Sequence, residues 1–207
     1  MARILSFLLL ALFISIHAGE GEDLLAKSTE RFQSAKIWAM EFRVENRLAD
    51  GSVQTVYKGE LAIGSGDRFL LKLPGQKYVS DGITLWQVND AQKQVVVKNT
   101  TDLDGGMHPS EVIFRYQKCK PVRVGKASFQ GVPVHTVALD PTGQVKGFKS
   151  MSVWLKESDQ TPVRIETLDN TGSTSIYEIT KLRKNPDLGK DPFRYTPSAD
   201  VEEIDMR

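Results

Sequence analysis

Trp38-Ala39-Met40-Glu41-Phe42-Arg43-Val44-Glu45 alternates large apolar side chains with charged or small ones, a period of two. Successive side chains of a strand point to opposite faces. The stretch therefore predicts a half-buried strand with Trp38, Met40, Phe42 and Val44 on one side. Immediately before it the period is helical: Leu24, Leu25, Ser28, Phe32 and Ala35 recur along one face from Asp23 to Ala35, and Asp23 can act as an N-cap or first-turn acid. Immediately after it, Asp50-Gly51 is a strong hairpin turn. The returning strand carries Val53, Tyr57, Leu61 and Ile63 on one side, and Gly64-Ser65-Gly66-Asp67 turns the chain into Arg68 to Leu73, where Phe69, Leu71 and Leu73 share a face.

The same reading extends down the chain. Strands are expected at Ile83 to Asn89, Gln92 to Asn99, Val132 to Leu139, Phe148 to Lys156, Pro162 to Asp169 and Ser173 to Arg183, each bounded by Gly, Pro, Asn or Asp. Thr100 to Lys120 interrupts the series, with Pro109-Ser110-Glu111 opening a short helix that runs to Tyr116. From Asn185 the tail, with Pro186, Gly189, Pro192 and Pro197, is expected to be extended and irregular. The outcome is a mainly β fold with some α, about nine to eleven antiparallel strands, in which curling into a barrel or half-barrel removes exposed edges. The N-terminal helix would cover the open side and the short helix the mouth.

Composition narrows the function classes. The 207 residues are 40% apolar and 26% charged, with 27 Lys plus Arg against 26 Asp plus Glu, an ordinary globular balance with no basic surplus for nucleic acid. A single cysteine, Cys119, excludes an intramolecular disulfide and a cysteine-rich zinc site, and three histidines leave little material for imidazole chemistry. No metal ion and no cofactor are expected. Arg3 followed by the apolar run Ile4 to Ile16 and the small residues around His17-Ala18-Gly19 predicts a signal peptide over 1–18, too short for a bilayer span, and a single exported domain over 19–207. Gly-x-Ser-x-Gly, a Gly-rich phosphate loop, His-Glu-x-x-His and Cys-x-x-Cys are all missing from the sequence. His135 in a strand and His108 beside Pro109 read as structural, so the chain is expected not to be an enzyme.

The apolar faces admit two readings. Trp38, Met40, Phe42, Phe69, Leu71, Trp86 and Val88 can simply fill a core. Alternatively, a curved sheet leaves volume unfilled, and that volume holds a ligand. An acyl chain suits such a space: at ~0.8 kcal/mol per buried methylene, roughly fifteen methylenes contribute about 12 kcal/mol before ordering costs.

Val79-Ser80-Asp81-Gly82-Ile83-Thr84-Leu85-Trp86, continued by Gln87 to Val95, closely resembles the strand–turn–strand of the outer-membrane lipoprotein carrier (LolA) family. Asp50-Gly51-Ser52, Gly59-Glu60-Leu61, the stretch Phe148 to Tyr177 and Phe193-Arg194-Tyr195-Thr196-Pro197 extend the likeness over nearly the whole expected mature chain. The resemblance implies an unclosed antiparallel half-barrel lidded by helices. It also implies a monomeric periplasmic chaperone that takes triacylated lipoproteins from an inner-membrane lipoprotein-releasing ABC complex to an outer-membrane lipoprotein receptor. On this reading the lipid cavity is formed by Trp38, Met40, Phe42, Leu61, Phe69, Leu71, Trp86 and Val97. Met107, Val112, Ile113 and Phe114 form the lid, and Phe69 doubles as the contact with the releasing complex. The family carries Arg-Pro where this chain has Ser65-Gly66, and neither residue supplies a guanidinium to hold a lid shut. Arg68 is expected to point elsewhere, so closure must differ. Rival readings are a lipoprotein- or lipid-sensing regulatory module of the same fold, the outer-membrane receptor itself, which the lack of a cysteine near Ala18 disfavours, and an enzyme acting on lipids.

Overall fold

The computed structural model describes residues 18–103 and 108–207. The expected signal peptide, up to residue 17, and Met107 of the expected lid lie outside the described residues. Helix α1 (Ala18–Gln33) leads into β1 (Ile37–Arg47), β2 (Val53–Gly64), β3 (Arg68–Leu73), β4 (Gln76–Asp81), β5 (Thr84–Asn89) and β6 (Gln94–Asn99). The chain then reaches α2 (Pro109–Phe114) and a 3-10 turn (Arg115–Lys118). It returns as β7 (Lys120–Phe129), β8 (Val132–Asp140), β9 (Phe148–Lys156), β10 (Pro162–Asp169), β11 (Thr174–Lys184) and, at its end, β12 (Glu202–Asp205). Among the described residues no helix is long and apolar enough to cross a membrane.

All twelve strands form one sheet in the order β12-β6-β5-β4-β3-β2-β1-β11-β10-β9-β8-β7, antiparallel throughout except for the parallel pair β12–β6. Its two ends do not meet, so the sheet is an open half-barrel. The register identifies one continuous apolar face. Val137 opposes Val153, Val153 opposes Ile165, Ile165 opposes Tyr177, Tyr177 opposes Val44, and Val44 opposes Tyr57. Directly opposed residues share a side, and both helices lie on it. Leu24 and Leu25 of α1 pack on Val137, Met151 and Val153, while Ile113 of α2 packs on Met40, Leu61 and Phe69. The Trp38 indole N–H donates to the Phe32 carbonyl at 2.7 Å, tying the end of α1 to the start of β1.

The other face is polar in the middle. Arg43 and Arg47 flank Glu45, and Arg164 lies between Glu166 and Glu178. Toward β6 that face turns apolar again and the tail covers it. Phe193 sits on Ala39 and Ala62, and Tyr195 and Val201 sit on Val88, Val95 and Val97.

Three elements differ from the sequence expectations. The strand total exceeds nine to eleven because the tail is not irregular throughout: β12 pairs with β6 and supplies backbone partners to that edge, Glu202 N–H to Lys93 O and Met206 N–H to Val97 O, each at 2.9 Å. Every residue of β12 is exposed, so no alternation marks it in sequence. Strand β7 likewise hides its period behind Lys120, Arg123 and Lys126 and a register shift after Pro121. The short helix ends at Phe114 rather than Tyr116, its last turn tightening to 3-10 geometry.

The Ser80-Asp81-Gly82 motif has a structural cause. Asp81 Oδ1 accepts the N–H groups of Ile83 and Thr84 (2.9 and 2.8 Å). The fully buried Ser80 Oγ accepts from Gly82 N–H (3.0 Å), donates to Asp67 O (3.1 Å) and meets the Thr100 hydroxyl (2.9 Å). Gly82 has φ +97°, and a Cβ there would lie 2.2 Å from the Gly66 carbonyl oxygen. A backbone atom cannot swing aside as a side chain can. Gly82→Ala should therefore cost about 2–4 kcal/mol from strain and enforced turn movement. The measurement is a thermal melt, and an unchanged melting temperature would contradict this account of the motif.

Candidate functional site

Beneath α2 the sheet leaves a cavity of about 230 Å³. Phe42 and Val44 of β1, Tyr57 and Leu61 of β2, and Leu71 and Leu73 of β3 line its sheet side. Tyr177 of β11 closes one flank, and Pro109, Val112 and Ile113 of α2 form the roof. The local sequence explains the hollow. Phe42 is opposed by Gly59, and a Cβ on Gly59 would lie 2.5 Å from the tip of the Phe42 ring, so the ring reaches over the glycine into room that a larger residue would fill. Burial pushes the Tyr57 and Tyr177 phenols above their ordinary range, which keeps both neutral hydroxyls in an otherwise apolar lining.

Helix α2 is held down by rings. Pro109 at its first turn fixes φ, and Ser110 N–H donates to Nδ1 of His108 at 3.3 Å. The His108 ring stands edge-on to Phe69 with centroids 5.0 Å apart. At the other end Phe114 meets Phe32 at 4.5 Å, and Phe32 meets Trp38 at 4.9 Å. The ion pair Lys118–Glu111 (2.6 Å) is exposed and contributes little. Arg68 takes no part in closure: its Nε donates to Ser65 O (2.9 Å), and its guanidinium lies over Phe193 on the opposite face (5.5 Å). With Arg68 turned to the opposite face, α2 is held by aromatic contacts at both of its ends.

Of the residues assigned to the cavity from sequence, Phe42, Leu61 and Leu71 line it. Met40 and Phe69 lie on the same face, 2% and 1% exposed, in the layer beneath α2. Trp38 is on that face too but stands under the end of α1. Trp86 and Val97 do not join them. Val79 opposes Trp86 and Trp86 opposes Val97, a row on the far side of the sheet that packs with Tyr195 and Val201. The residue that β5 turns inward is Leu85. Of the lid residues, Val112 and Ile113 face the cavity, and Phe114 faces away from it towards Phe32. Phe69, expected to touch a partner, is covered by His108, so any such contact requires α2 to lift.

Sequence reasoning missed Tyr57, Val44, Leu73 and Tyr177. The first three were visible as the alternation partners of Leu61, Phe42 and Leu71. Tyr177 carried no such signal, because its place opposite Val44 depends on the pairing of β1 with β11 across the chain.

Among the described residues no group of three metal-ligating side chains exists. Burial pushes the Cys119 thiol up to about 11, which leaves it protonated in the core. At about 230 Å³ the cavity is smaller than the ~300–1,000 Å³ of ordinary ligand pockets.

A family model described as outer membrane lipoprotein carrier protein LolA matches residues 33–196. No match is found among the curated proteins. Among solved structures, the chain is similar to an uncharacterized conserved protein from Thermus thermophilus (TM-score 0.57, 14% identity, covering 90% of this chain and 99% of that one). It is also similar to LprF from Mycobacterium bovis (TM-score 0.52, 11% identity, 87% and 100% covered). A LolA superfamily protein from Nitrosomonas europaea is a more distant likeness (TM-score 0.46, 13% identity, 84% and 97% covered). At these identities the structural likeness concerns the fold alone.

Proposed function

The chain belongs to the outer membrane lipoprotein carrier protein LolA family, and from that premise we propose that it is a periplasmic chaperone that shelters the acyl chains of lipoproteins and carries them from the inner membrane to the outer membrane. The observation that supports this reading best is the apolar cavity under α2. Its walls are aliphatic and aromatic, its polar groups are two neutral phenols, and its roof is a six-residue helix held by ring contacts rather than by buried charge. Such a roof is separable from the sheet without leaving an unpaired ion behind, as repeated loading and release requires.

On this reading triacylated lipoproteins are the cargo, an inner-membrane ABC complex loads them and an outer-membrane receptor takes them. Loading begins with α2 lifting, which uncovers Phe69 and Met40 at the same time as it opens the cavity. Each acyl methylene that enters contributes ~0.8 kcal/mol, which offsets the lost contacts of Ile113 and Phe114. The test is depletion of the protein in its own cells, followed by membrane fractionation. Outer-membrane lipoproteins are expected to accumulate in the inner membrane, and undisturbed sorting would contradict the carrier role.

A further inference from the structure

Strand β2 has unequal neighbours. β1 pairs with it along its whole length, from Gly64 to Val53. β3 pairs with it only over Glu60 to Ile63, and the chain leaves β3 at Leu73 for the turn into β4. The run 53–59 therefore has the sheet on one side and, among the described residues, no strand on the other. About every second residue of such a run aims its backbone N–H and C=O away from the sheet, unpaired. β1 is itself paired with β11 from Trp38 to Arg47, so this free edge is held extended by two strands behind it. The edge at β6 is covered by β12, whereas Val53, Gln54, Thr55, Val56 and Lys58 are exposed, Val53 by 55% and Val56 by 50%.

The step in the sheet starts where the cavity under α2 ends. Tyr57 lies on the unpaired run and Leu73 is the last residue of β3, and both line that cavity. A ligand held there has the corner of the step within reach. The charges around the corner nearly cancel: Lys72 pairs with Glu60 at 3.0 Å, and Lys58 stands beside them. Such an edge suits an uncharged polypeptide backbone better than an acidic or a strongly basic one.

We infer that the run 53–59 is a strand-addition site for the first residues of the cargo polypeptide. This rests on the acyl-carrier reading and deepens it. A lipoprotein bears its acyl chains on its N-terminal residue, so its polypeptide starts at the cavity. From the corner near Gly59 it runs towards Val53, against the direction of β2, and the new ladder is antiparallel. Six residues at about 3.4 Å each span the run, roughly 20 Å. Main-chain hydrogen bonds supply the affinity, so the site takes cargoes of different sequence, while Val53 and Val56 offer apolar surface to alternate side chains.

Titration and amide hydrogen exchange on the purified protein test the assignment with three synthetic ligands. These are tripalmitoyl-cysteine alone, the same group followed by six uncharged residues, and that peptide N-methylated at each of the six. The unmethylated peptide is expected to bind more than about tenfold tighter than tripalmitoyl-cysteine. It should also slow amide exchange within 53–59 by about tenfold or more. N-methylation removes the donors that a ladder needs, so the methylated peptide should bind like tripalmitoyl-cysteine and leave exchange in 53–59 unchanged. Binding of all three ligands without protection of 53–59, or protection that persists with the methylated peptide, overturns the strand site and leaves the carrier reading standing. Protection in ligand-free protein that grows with protein concentration assigns the edge to a second copy of this chain and overturns the site as well. Failure of all three ligands to bind overturns both.

Discussion

Leu71→Asp is expected to weaken binding of an acylated peptide by roughly a hundredfold, while Trp86→Asp leaves it within about threefold. Leu71 lines the cavity beneath α2, and a carboxylate there would face a methylene chain with no cation among the lining residues to meet it. Burying an unpaired charge costs several kcal/mol, and about 3 kcal/mol of that cost corresponds to the hundredfold loss. Because Leu71 is only half-buried in the empty protein, the new carboxylate keeps water until a ligand arrives, so the fold survives. Trp86 presents the opposite case. Its ring stands on the far face with Tyr195 and Val201, so Trp86→Asp removes packing under the tail and should lower stability by about 3 kcal/mol without reaching the ligand. Titration with a fluorescent acylated peptide, set beside a thermal melt of each variant, separates the two effects. Strong loss of binding in Trp86→Asp with none in Leu71→Asp would place the ligand on the wrong side of the sheet for this account.

Tyr116→Ala is expected to be the most destabilising single truncation. Tyr116 is fully buried in the 3-10 turn after α2, among Leu24, Leu25 and the valines of β8 and β9, and its hydroxyl meets the Ser28 hydroxyl of α1 at 2.8 Å. Truncating a buried aromatic ring costs about 3–5 kcal/mol, and the orphaned Ser28 hydroxyl adds about 1–3 kcal/mol. Against a total stability of about 5–15 kcal/mol this is a large share, and the melting temperature should fall by about 10–20 °C. Tyr116→Phe keeps the ring and should cost only about 1–3 kcal/mol. Burial pushes the phenol from its ordinary value near 10 up to about 12. The folded state therefore resists its ionisation. The associated stability is fully present below pH 10 and is lost as the pH rises from 10 towards 12, so the melt of the unmodified protein should show this loss and that of Tyr116→Phe should not. A melt of Tyr116→Ala within a few degrees of the unmodified protein would mean that α1 does not depend on this contact.

The long, regular elements were legible because their signal is local. Alternation from Trp38 to Val44 marked β1 and its apolar side, and Leu24, Leu25, Ser28 and Phe32 marked the buried face of α1, all four of which are buried. What alternation does not contain is which side of the sheet a given strand turns towards the helices. Phe69 on β3 and Trp86 on β5 look equivalent as large apolar residues in strands on either side of β4. Yet Ser80 opposes both Phe69 and Leu85, so Leu85 inherits the inner side and Trp86 the outer. That assignment depends on register across two hairpins, and a one-residue difference reverses it. The second inner-looking row was plausible from sequence because the outer face is apolar too, there and nowhere else to the same degree. The tail explains why: Phe193, Tyr195 and Val201 cover that end, and their spacing has neither period that would announce them as packing elements. The contacts that hold α2 were not legible. Phe114 on Phe32 on Trp38 joins three elements that only the folded chain brings together.

On the proposed function, the face under α2 holds acyl chains. The decisive measurement is native mass spectrometry of the protein isolated from its own cells without detergent. The account predicts co-purified acylated lipoprotein on the unmodified protein and none on Leu71→Asp. Empty unmodified protein that also fails to take up added triacylated peptide would contradict it.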